Sequence, residues 1–498
     1  MRIVKSPQMQ IGQTDIADII IDVTSRDDIP MILLGLQQIY TTLPLRKAVF
    51  KILEEVIPHK EADETINLVA VDANKGRPGM DQWCILVLGT LRLGLNADYD
   101  RIQELANQHR TLRMMLGHGL FTTDKDYRLQ TLKDNLKLFT PEIMGRINVE
   151  VIRAGYQLLD LDIHSLIRGR CDSFVLKTDV HFPTDINLLY DAIRVLIRDC
   201  VYWSKDYALP EWRQHQCNLR RFKALYRKIQ KLRHSTSKDE SKKRAKEAKF
   251  CEAHQAYIDL AQFYLDRVAR SVELLKNTHK IPEVLLSELS IFSQHADRQI
   301  EQIKRRVIEG EKIPHAEKVF SLFQPHTEWI SKGKAGVPVE LGIRMCIMED
   351  THGFILHHRV MQKETDDKIA LEMVTATQVN FPGFNACSFD KGFHSPENQR
   401  QLKDKLGQVV LPKKGRLSCA DKVREYDEEF VQAKKNHSAV ESAINALQLH
   451  GLNTCPDQGI EGFERYAALA VLSRNIQRIG CIVRDRERKK REKQKQAA

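Results

Sequence analysis

Residues 387–398 read Cys387-Ser-Phe-Asp-Lys-Gly-Phe-His-Ser-Pro-Glu-Asn398, and each part of this segment indicates a structure. The residues before Asp390 are typical of a short buried strand, and Lys-Gly after it indicates a turn. Ser395, followed by Pro396 and an acidic residue, is a common beginning of an α-helix. A carboxylate at the end of such a strand either binds a metal ion that faces a phosphate or only caps the next helix.

The composition narrows the class of protein. With 498 residues, the chain has room for two or three domains. Its net charge of +11 favours an anionic partner, either nucleic acid or an acidic membrane surface. There is no apolar run long enough to cross a membrane and no signal-peptide pattern, so we expect a cytoplasmic protein. The ten cysteines contain no C-x-x-C pair, which argues for reduced thiols and against a zinc site or a disulfide framework.

Hydrophobic periodicity predicts an α/β fold that leans towards α+β. Helical spacing dominates the first 150 residues, and strand-like alternation appears at 171–180, 317–323, 341–347, 354–360 and 384–389. This order predicts one mixed sheet flanked by helices, with a large helical insertion after the first strand. The predicted regions are an N-terminal all-helical domain at 1–150, a core with the mixed sheet at 151–185 and 311–480, the insertion at 186–310, and a basic disordered tail at 481–498.

Acidic residues in separate predicted elements suggest a metal site. Transfer of a phosphodiester is aided by two divalent cations about 4 Å apart, and hard cations prefer carboxylate oxygens. The candidates are Asp390, a late helical acid, Glu441, and an early strand acid. For the early acid we favour Asp172, with Asp179 and Asp185 as alternatives. For each candidate, the competing interpretation is a solvated or helix-capping side chain.

Five ordered segments resemble DDE-type insertion-sequence transposases of the ISNCY branch. The segments are Lys75-Gly-Arg-Pro-Gly-Met-Asp-Gln-Trp83 with 105–117, Cys171-Asp-Ser-Phe-Val with 182–191, 323–334, Phe389-Asp-Lys-Gly-Phe-His-Ser395, and His437-Ser-Ala-Val-Glu441. The resemblance implies that 151–185 and 311–480 form an RNase H-like catalytic core and that the helical region 1–150 is a DNA-binding domain. It also implies that Asp172, Asp390 and Glu441 form a catalytic triad that binds two Mg²⁺ ions, for which Mn²⁺ can substitute.

Four basic residues are candidates for DNA contacts. Arg77 lies in a Gly-Arg-Pro sequence, which is used in hooks that read the minor groove and also in turns that lead into a helix. Lys332 and Lys334 fit either phosphate contacts or solvated lysines of a turn. Lys391, next to Asp390, is placed to neutralise a phosphate. The basic block at 231–249 is interpreted as a solvated helix face or a connection rather than as a specific DNA contact.

The resemblance therefore predicts a transposase that binds the terminal inverted repeats of its element, cuts there and joins the ends to target DNA. We expect double-stranded DNA as the partner, no membrane association, and at least a homodimer, because two element ends must be brought together. The protein would be cytoplasmic and associated with the nucleoid when bound to DNA. The alternatives are a nuclease of the same fold that cuts without joining, and a DNA-binding protein that has lost catalysis.

Overall fold

The computed structural model describes residues 3–6, 8–9, 11–56, 79–119, 126–207, 209, 211–232, 239–277, 283–331 and 338–497. The chain forms two compact units. Unit 1 comprises Met1–Asp179 and Ile330–Ala498, and unit 2 comprises Val180–Trp329. Unit 2 is thus inserted in the sequence of unit 1. The insertion predicted from the sequence, 186–310, lies inside these bounds.

The helices and strands follow one another along the chain in three groups. Before the sheet come α1 (Asp28–Thr41), α2 (Leu43–Glu54), α3 (Gln82–Gly94), α4 (Tyr99–Gln108), α5 (Arg110–Met115), α6 (Leu129–Leu136) and α7 (Pro141–Leu158). Then follow β1 (Ile167–Thr178) and the unit 2 helices α8 (Asp185–Tyr207), α9 (His215–Lys231), α10 (Glu240–Asn277) and α11 (Glu283–Ile303). The rest are β2 (Glu328–Ser331), β3 (Val339–Asp350), β4 (Ile355–Met361), α12 (Asp366–Asn380), β5 (Phe384–Phe389), α13 (Pro396–Lys405), β6 (Gln408–Val410), α14 (Cys419–Tyr426), α15 (Glu428–His437), α16 (Ala439–Leu447), β7 (Thr454–Cys455) and α17 (Gly459–Ala497).

The seven strands form one mixed sheet, as the sequence predicts. Its order is β2-β3-β1-β5-β6, while β4 also pairs with β3 and β7 with β1. The pairs β1–β3 and β3–β4 are antiparallel, whereas β1–β5 and β5–β6 are parallel. Parallel neighbouring strands require a crossover connection. Helix α12 precedes β5 in the chain, and α13 connects β5 to β6. The mixed α/β class is therefore confirmed.

The N-terminal helices share a core with the C-terminal helix, so residue 150 is not a boundary between compact units. Helix α17 packs against α1, α3 and α7. The contact with α1 is close, because a Cβ built on Gly480 would lie 1.8 Å from the carbonyl oxygen of Met31. Local periodicity reveals the helices of this region, but it does not reveal that their partner begins about 300 or more residues further along the chain.

The predicted disordered tail differs from the structure, in which α17 continues to Ala497. The start of this segment is anchored by the buried side chain of Ile482. Further along, Arg486 forms an ion pair with Asp160, and Arg488 donates to the carbonyl oxygen of Val23. The remaining residues are mostly Lys, Arg, Glu and Gln, which favour a helix even where little packs against it.

Unit 2 consists largely of helices with their own apolar core. The strand predicted at 317–323 is wrong, because these residues form no strand, and Leu322 is instead buried in this helical core. Alternation of apolar residues over such a short run indicates burial but does not distinguish a strand from an irregular segment. Among the described residues of both units, no helix has the length and hydrophobicity needed to cross a membrane.

Candidate active site

The parallel pairing of β1 with β5 brings two of the predicted acids side by side. Cys171 pairs with Phe389 in this ladder, and the next residues along the two chains are Asp172 and Asp390. Neighbouring strands lie about 4.8 Å apart, so the two carboxylates leave adjacent backbones. Asp390 ends β5 because its carbonyl oxygen accepts the N–H of Phe393 in a short 3-10 turn.

Glu441 reaches the same region from a helix. It lies in the first turn of α16, which contacts β1. Val440, Ala443 and Leu447 are buried beneath the helix, whereas the side chain of Glu441 is exposed. The apolar stripe thus fixes the orientation of α16 and leaves the carboxylate at the edge of the core, as the sequence predicts.

Asp366 is a fourth carboxylate of this site, and the sequence analysis did not identify it. It is the first residue of α12, and its Oδ1 accepts a hydrogen bond of 2.6 Å from the Ser173 hydroxyl. A Cβ built on Gly392 would lie 2.9 Å from its Oδ2. Asp366 therefore touches the residue after Asp172 and the turn after Asp390. An acid at the beginning of a helix is normally explained by the helix dipole, which is why its position in sequence is not distinctive.

The charges of these acids act on one another. Burial is the largest cause that raises the pKa of Asp172, to about 6, and the negative charges of Asp390, Asp366 and Glu441 add to it. The N–H of Ser173, which donates to Asp172 Oδ1 at 2.7 Å, opposes this rise. The structure thus brings the three predicted acids, together with Asp366, into one electrostatic cluster. We call Asp172, Asp366, Asp390 and Glu441 the carboxylate cluster.

His437, at the end of α15, lies beside the carboxylate cluster. Its Nδ1 is 2.9 Å from the hydroxyl of Ser388, and its buried Nε2 has no hydrogen-bond partner among the described residues. Burial lowers the pKa of His437, and the charges of Asp390 and Glu441 only partly oppose this effect. The imidazole is consequently neutral at pH 7. His437 begins one of the five segments that resemble transposases, but the sequence predicts no role for its side chain.

The two alternative early acids lie in other surroundings. Asp179 is exposed beyond the end of β1, about 20 Å along the strand from Asp172, and lines a separate cavity of about 670 Å³ that also includes Arg92. Asp185 belongs to unit 2, where its carboxylate is 2.9 Å from Arg306. Asp172 is therefore the early acid that the fold of unit 1 places beside Asp390.

Of the four predicted DNA contacts, one falls on the described residues. Lys391 is exposed in the turn that follows Asp390, close to the carboxylate cluster. Arg77, Lys332 and Lys334 lie outside the described residues.

The chemistry of the carboxylate cluster fits a hard divalent cation. Four carboxylates provide only oxygen donors, which Mg²⁺ and Mn²⁺ prefer. Burial raises the pKa of Asp172 most, the charges of the other three carboxylates add to this rise, and a bound cation would relieve their repulsion. As the side chains of the described residues stand, no three His, Cys, Asp or Glu residues form a group that could hold a metal ion. Asp390 and Glu441 are exposed, so their side chains are free to rotate on a fixed backbone.

A comparison of the chain with protein-family models, with characterised proteins and with solved structures found no match. What this site can do chemically is therefore inferred from its own residues. Two parallel strands and two helices bring these carboxylates to one acidic edge of the sheet, where Asp390 and Glu441 are open to solvent. Such an edge can bind divalent cations and bring them to an anionic substrate.

Proposed function

We propose that this chain is a transposase that binds the terminal inverted repeats of an insertion sequence and catalyses metal-dependent DNA cleavage and strand transfer. The observation that carries the proposal is the carboxylate cluster, in which Asp172, Asp390 and Glu441 come together from positions far apart in the sequence. The resemblance assigns the catalytic role to these same three residues.

The fold supports a finer proposal, an RNase H-like core. Such a core is a mixed sheet with two antiparallel neighbours on one side of its first strand and parallel strands on the other. The order β4-β3-β1-β5-β6 and its pairing directions agree with this description. In the proposed core, the first acid lies on the central strand and the second follows the parallel neighbour. The insertion of unit 2 after β1 accounts for the long separation of these two acids in sequence.

The proposed mechanism depends on positioning. Asp172 and Asp390 would hold the cations from adjacent strands, and Glu441 would complete the ligand set from α16. When bound, two Mg²⁺ ions would activate the attacking oxygen and stabilise the leaving oxygen of an in-line displacement. Asp366 would hold the Ser173 hydroxyl and add negative charge. Lys391 would supply positive charge for the scissile phosphate, next to the carboxylate that follows β5.

A cleavage assay tests the proposal. The substrate is a supercoiled plasmid carrying the two DNA segments that flank the coding sequence, and the products are separated on gels with Mg²⁺, Mn²⁺ or a chelator. We expect cleavage that requires the metal ion, followed by joined products. Asp390→Asn should reduce the rate more than a hundredfold, because metal assistance supplies several kcal/mol. Asp404→Asn, an exposed acid on α13, is the matched control.

Other outcomes would replace this function. Metal-dependent cleavage without joined products would identify a nuclease. Binding to the flanking segments without cleavage in either metal would identify a DNA-binding protein that lacks catalysis. If Asp390→Asn and Asp404→Asn lowered the cleavage rate equally, the carboxylate cluster would have no part in the mechanism.

A further inference from the structure

One short region of unit 2 carries a net positive charge almost equal to that of the whole chain. Residues 215–249 contain thirteen lysines and arginines but only three acidic residues, which amounts to a net charge of +10. The whole chain carries +11. The region comprises α9 and the beginning of α10. An excess of this size within 35 residues is the electrostatic signature of a surface that binds polyanions.

Helix α9 arranges part of this charge in a line. Phe222 and Ile229 are its fully buried residues and attach the helix to the core of unit 2. On the solvent side, the basic stripe of α9 consists of Arg220, Lys223, Arg227 and Lys231, all exposed. Their spacing of three and four residues places them on one face of the helix. At 1.5 Å per residue, the basic stripe extends over about 16 Å.

The basic stripe lines a shallow groove of about 440 Å³, together with Ala224 and Lys228. Among the described residues, none of its four side chains lies within ion-pair distance of a carboxylate. Other arginines of unit 2 are neutralised within the unit. Arg267 and Arg270 pair with Glu211, and Arg305 pairs with several glutamates. The unit therefore has acids to pair with its arginines, yet leaves α9 uncompensated.

The groove suits nucleic-acid phosphates better than a membrane surface. A helix that lies on a membrane inserts aromatic or large aliphatic side chains from one face, whereas Ala224 is the one apolar residue among the described residues that line this groove. The nearby aromatic residues of α9 are engaged elsewhere: Phe222 is buried in the core of unit 2, and Tyr226 donates its hydroxyl to Asn187 and stacks its ring on Tyr190. The groove is thus lined almost entirely by positively charged side chains.

We propose that the basic stripe of α9 is a binding surface for the phosphates of double-stranded DNA, independent of base sequence. The choice of DNA as the polyanion rests on the proposed function. The surface would supply affinity by releasing counterions from the duplex, and specificity would have to come from other parts of the chain.

The salt dependence of DNA binding tests this proposal. The full chain with Arg220→Gln, Lys223→Gln, Arg227→Gln and Lys231→Gln is compared with the unchanged chain on a fluorescent duplex of arbitrary sequence, over a series of salt concentrations. Each phosphate contact contributes about 0.9 to the slope of log K against log salt. Loss of four contacts should therefore make the slope shallower by roughly 3 to 4.

A second quadruple variant separates the surface from net charge. Lys205, Lys276, Lys312 and Lys318 are exposed lysines of unit 2 that lie outside α9. Their replacement by Gln removes the same charge, and we expect the slope to change by less than 1. All eight positions are exposed, and unchanged circular dichroism and thermal unfolding would verify that both variants fold.

Three results would overturn the proposal. They are an unchanged slope in the α9 variant, equal changes in the two variants, and a loss of binding to vesicles of anionic lipid in the α9 variant with duplex binding intact. The measurements use a chain that also carries Asp390→Asn, so that no cleavage intervenes. If DNA binding follows the basic stripe while the unchanged chain fails to cleave, the inference stands and the proposed function fails. If the chain cleaves and the slope is unchanged, the function stands and this inference fails.

Discussion

We expect Asp172→Asn to stabilise the folded chain at neutral pH, although the same substitution should abolish DNA cleavage. The reason lies in the carboxylate cluster, where burial and the charges of Asp390, Asp366 and Glu441 raise the pKa of Asp172 to about 6. In the unfolded chain, the same carboxyl has an ordinary pKa near 3.8. Keeping Asp172 ionised in the folded state therefore costs free energy, and asparagine, of nearly the same shape, carries no charge.

The size and the pH range of the effect follow from this difference. Between about pH 4 and pH 6, folded Asp172 holds a proton that the unfolded chain has released, so the free energy of unfolding falls as the pH rises. Above about pH 6 the full cost remains. One pKa unit corresponds to about 1.4 kcal/mol, so the gain from Asp172→Asn should approach ~3 kcal/mol at pH 8 and vanish near pH 4. The weaker hydrogen bond from Ser173 to a neutral acceptor makes this an upper bound.

Urea denaturation followed by circular dichroism, at several pH values between 4 and 8, measures this gain. The control is Asp179→Asn, an exposed acid just beyond the same strand, for which we expect a change in the free energy of unfolding within about 0.5 kcal/mol, as is usual for a surface substitution. A gain of equal size at both ends of the pH range would contradict the electrostatic argument. So would a loss of stability at pH 8, because it would mean that the negative charge of Asp172 is already compensated in the folded protein.

Two further predictions concern the packing of unit 1. Asn475→Ala should lower the free energy of unfolding by about 2–4 kcal/mol in urea denaturation, because Asn475 is buried and its amide bonds both to Asn148 and to the backbone of Ile355. Gly480→Ala should cost at least about 1–3 kcal/mol by overpacking against the backbone of α1. Gly462→Ala, in the same helix with ordinary contact distances, should be neutral or stabilising by up to about 1 kcal/mol. Similar effects of the two alanines in thermal unfolding would show that α1 and α17 are not in close contact.

Some features of this fold are readable in the sequence because they depend on local patterns. The helix that carries Glu441, the strand that ends before Asp390 and the turn between β3 and β4 all follow from periodicity and from turn residues. Features that depend on distant partners are not readable in this way. The packing of α17 against the N-terminal helices and the burial of Leu322 among helices are of that kind.

The same distinction applies to the carboxylate cluster. Asp390 is conspicuous because a lone acid ends an apolar strand and precedes a glycine turn. Asp366 has no such mark, since Thr365-Asp366-Asp367 reads as an ordinary acidic helix beginning. What distinguishes Asp366 is its position in the folded structure. The Ser173 hydroxyl on β1 donates a hydrogen bond to it, and Gly392 leaves room for it.

Because of this position, the role of Asp366 in metal binding can be tested by comparison with Asp367, the next residue in the sequence. If Asp366 supports a metal ion held by the carboxylate cluster, Asp366→Asn should weaken Mn²⁺ binding by about 10–100-fold, the usual effect of removing a group that supports metal ligands. Asp367→Asn is the matched control, because Asp367 is the next residue of the same helical turn. Its backbone carbonyl oxygen, rather than its carboxylate, accepts a hydrogen bond from the side-chain amide of Asn398. Electron paramagnetic resonance of bound Mn²⁺ measures the affinity without any DNA. Equal affinities in the two variants would mean that Asp366 serves only the beginning of α12. A loss in Asp366→Asn alone would extend the site beyond the three acids predicted from the sequence.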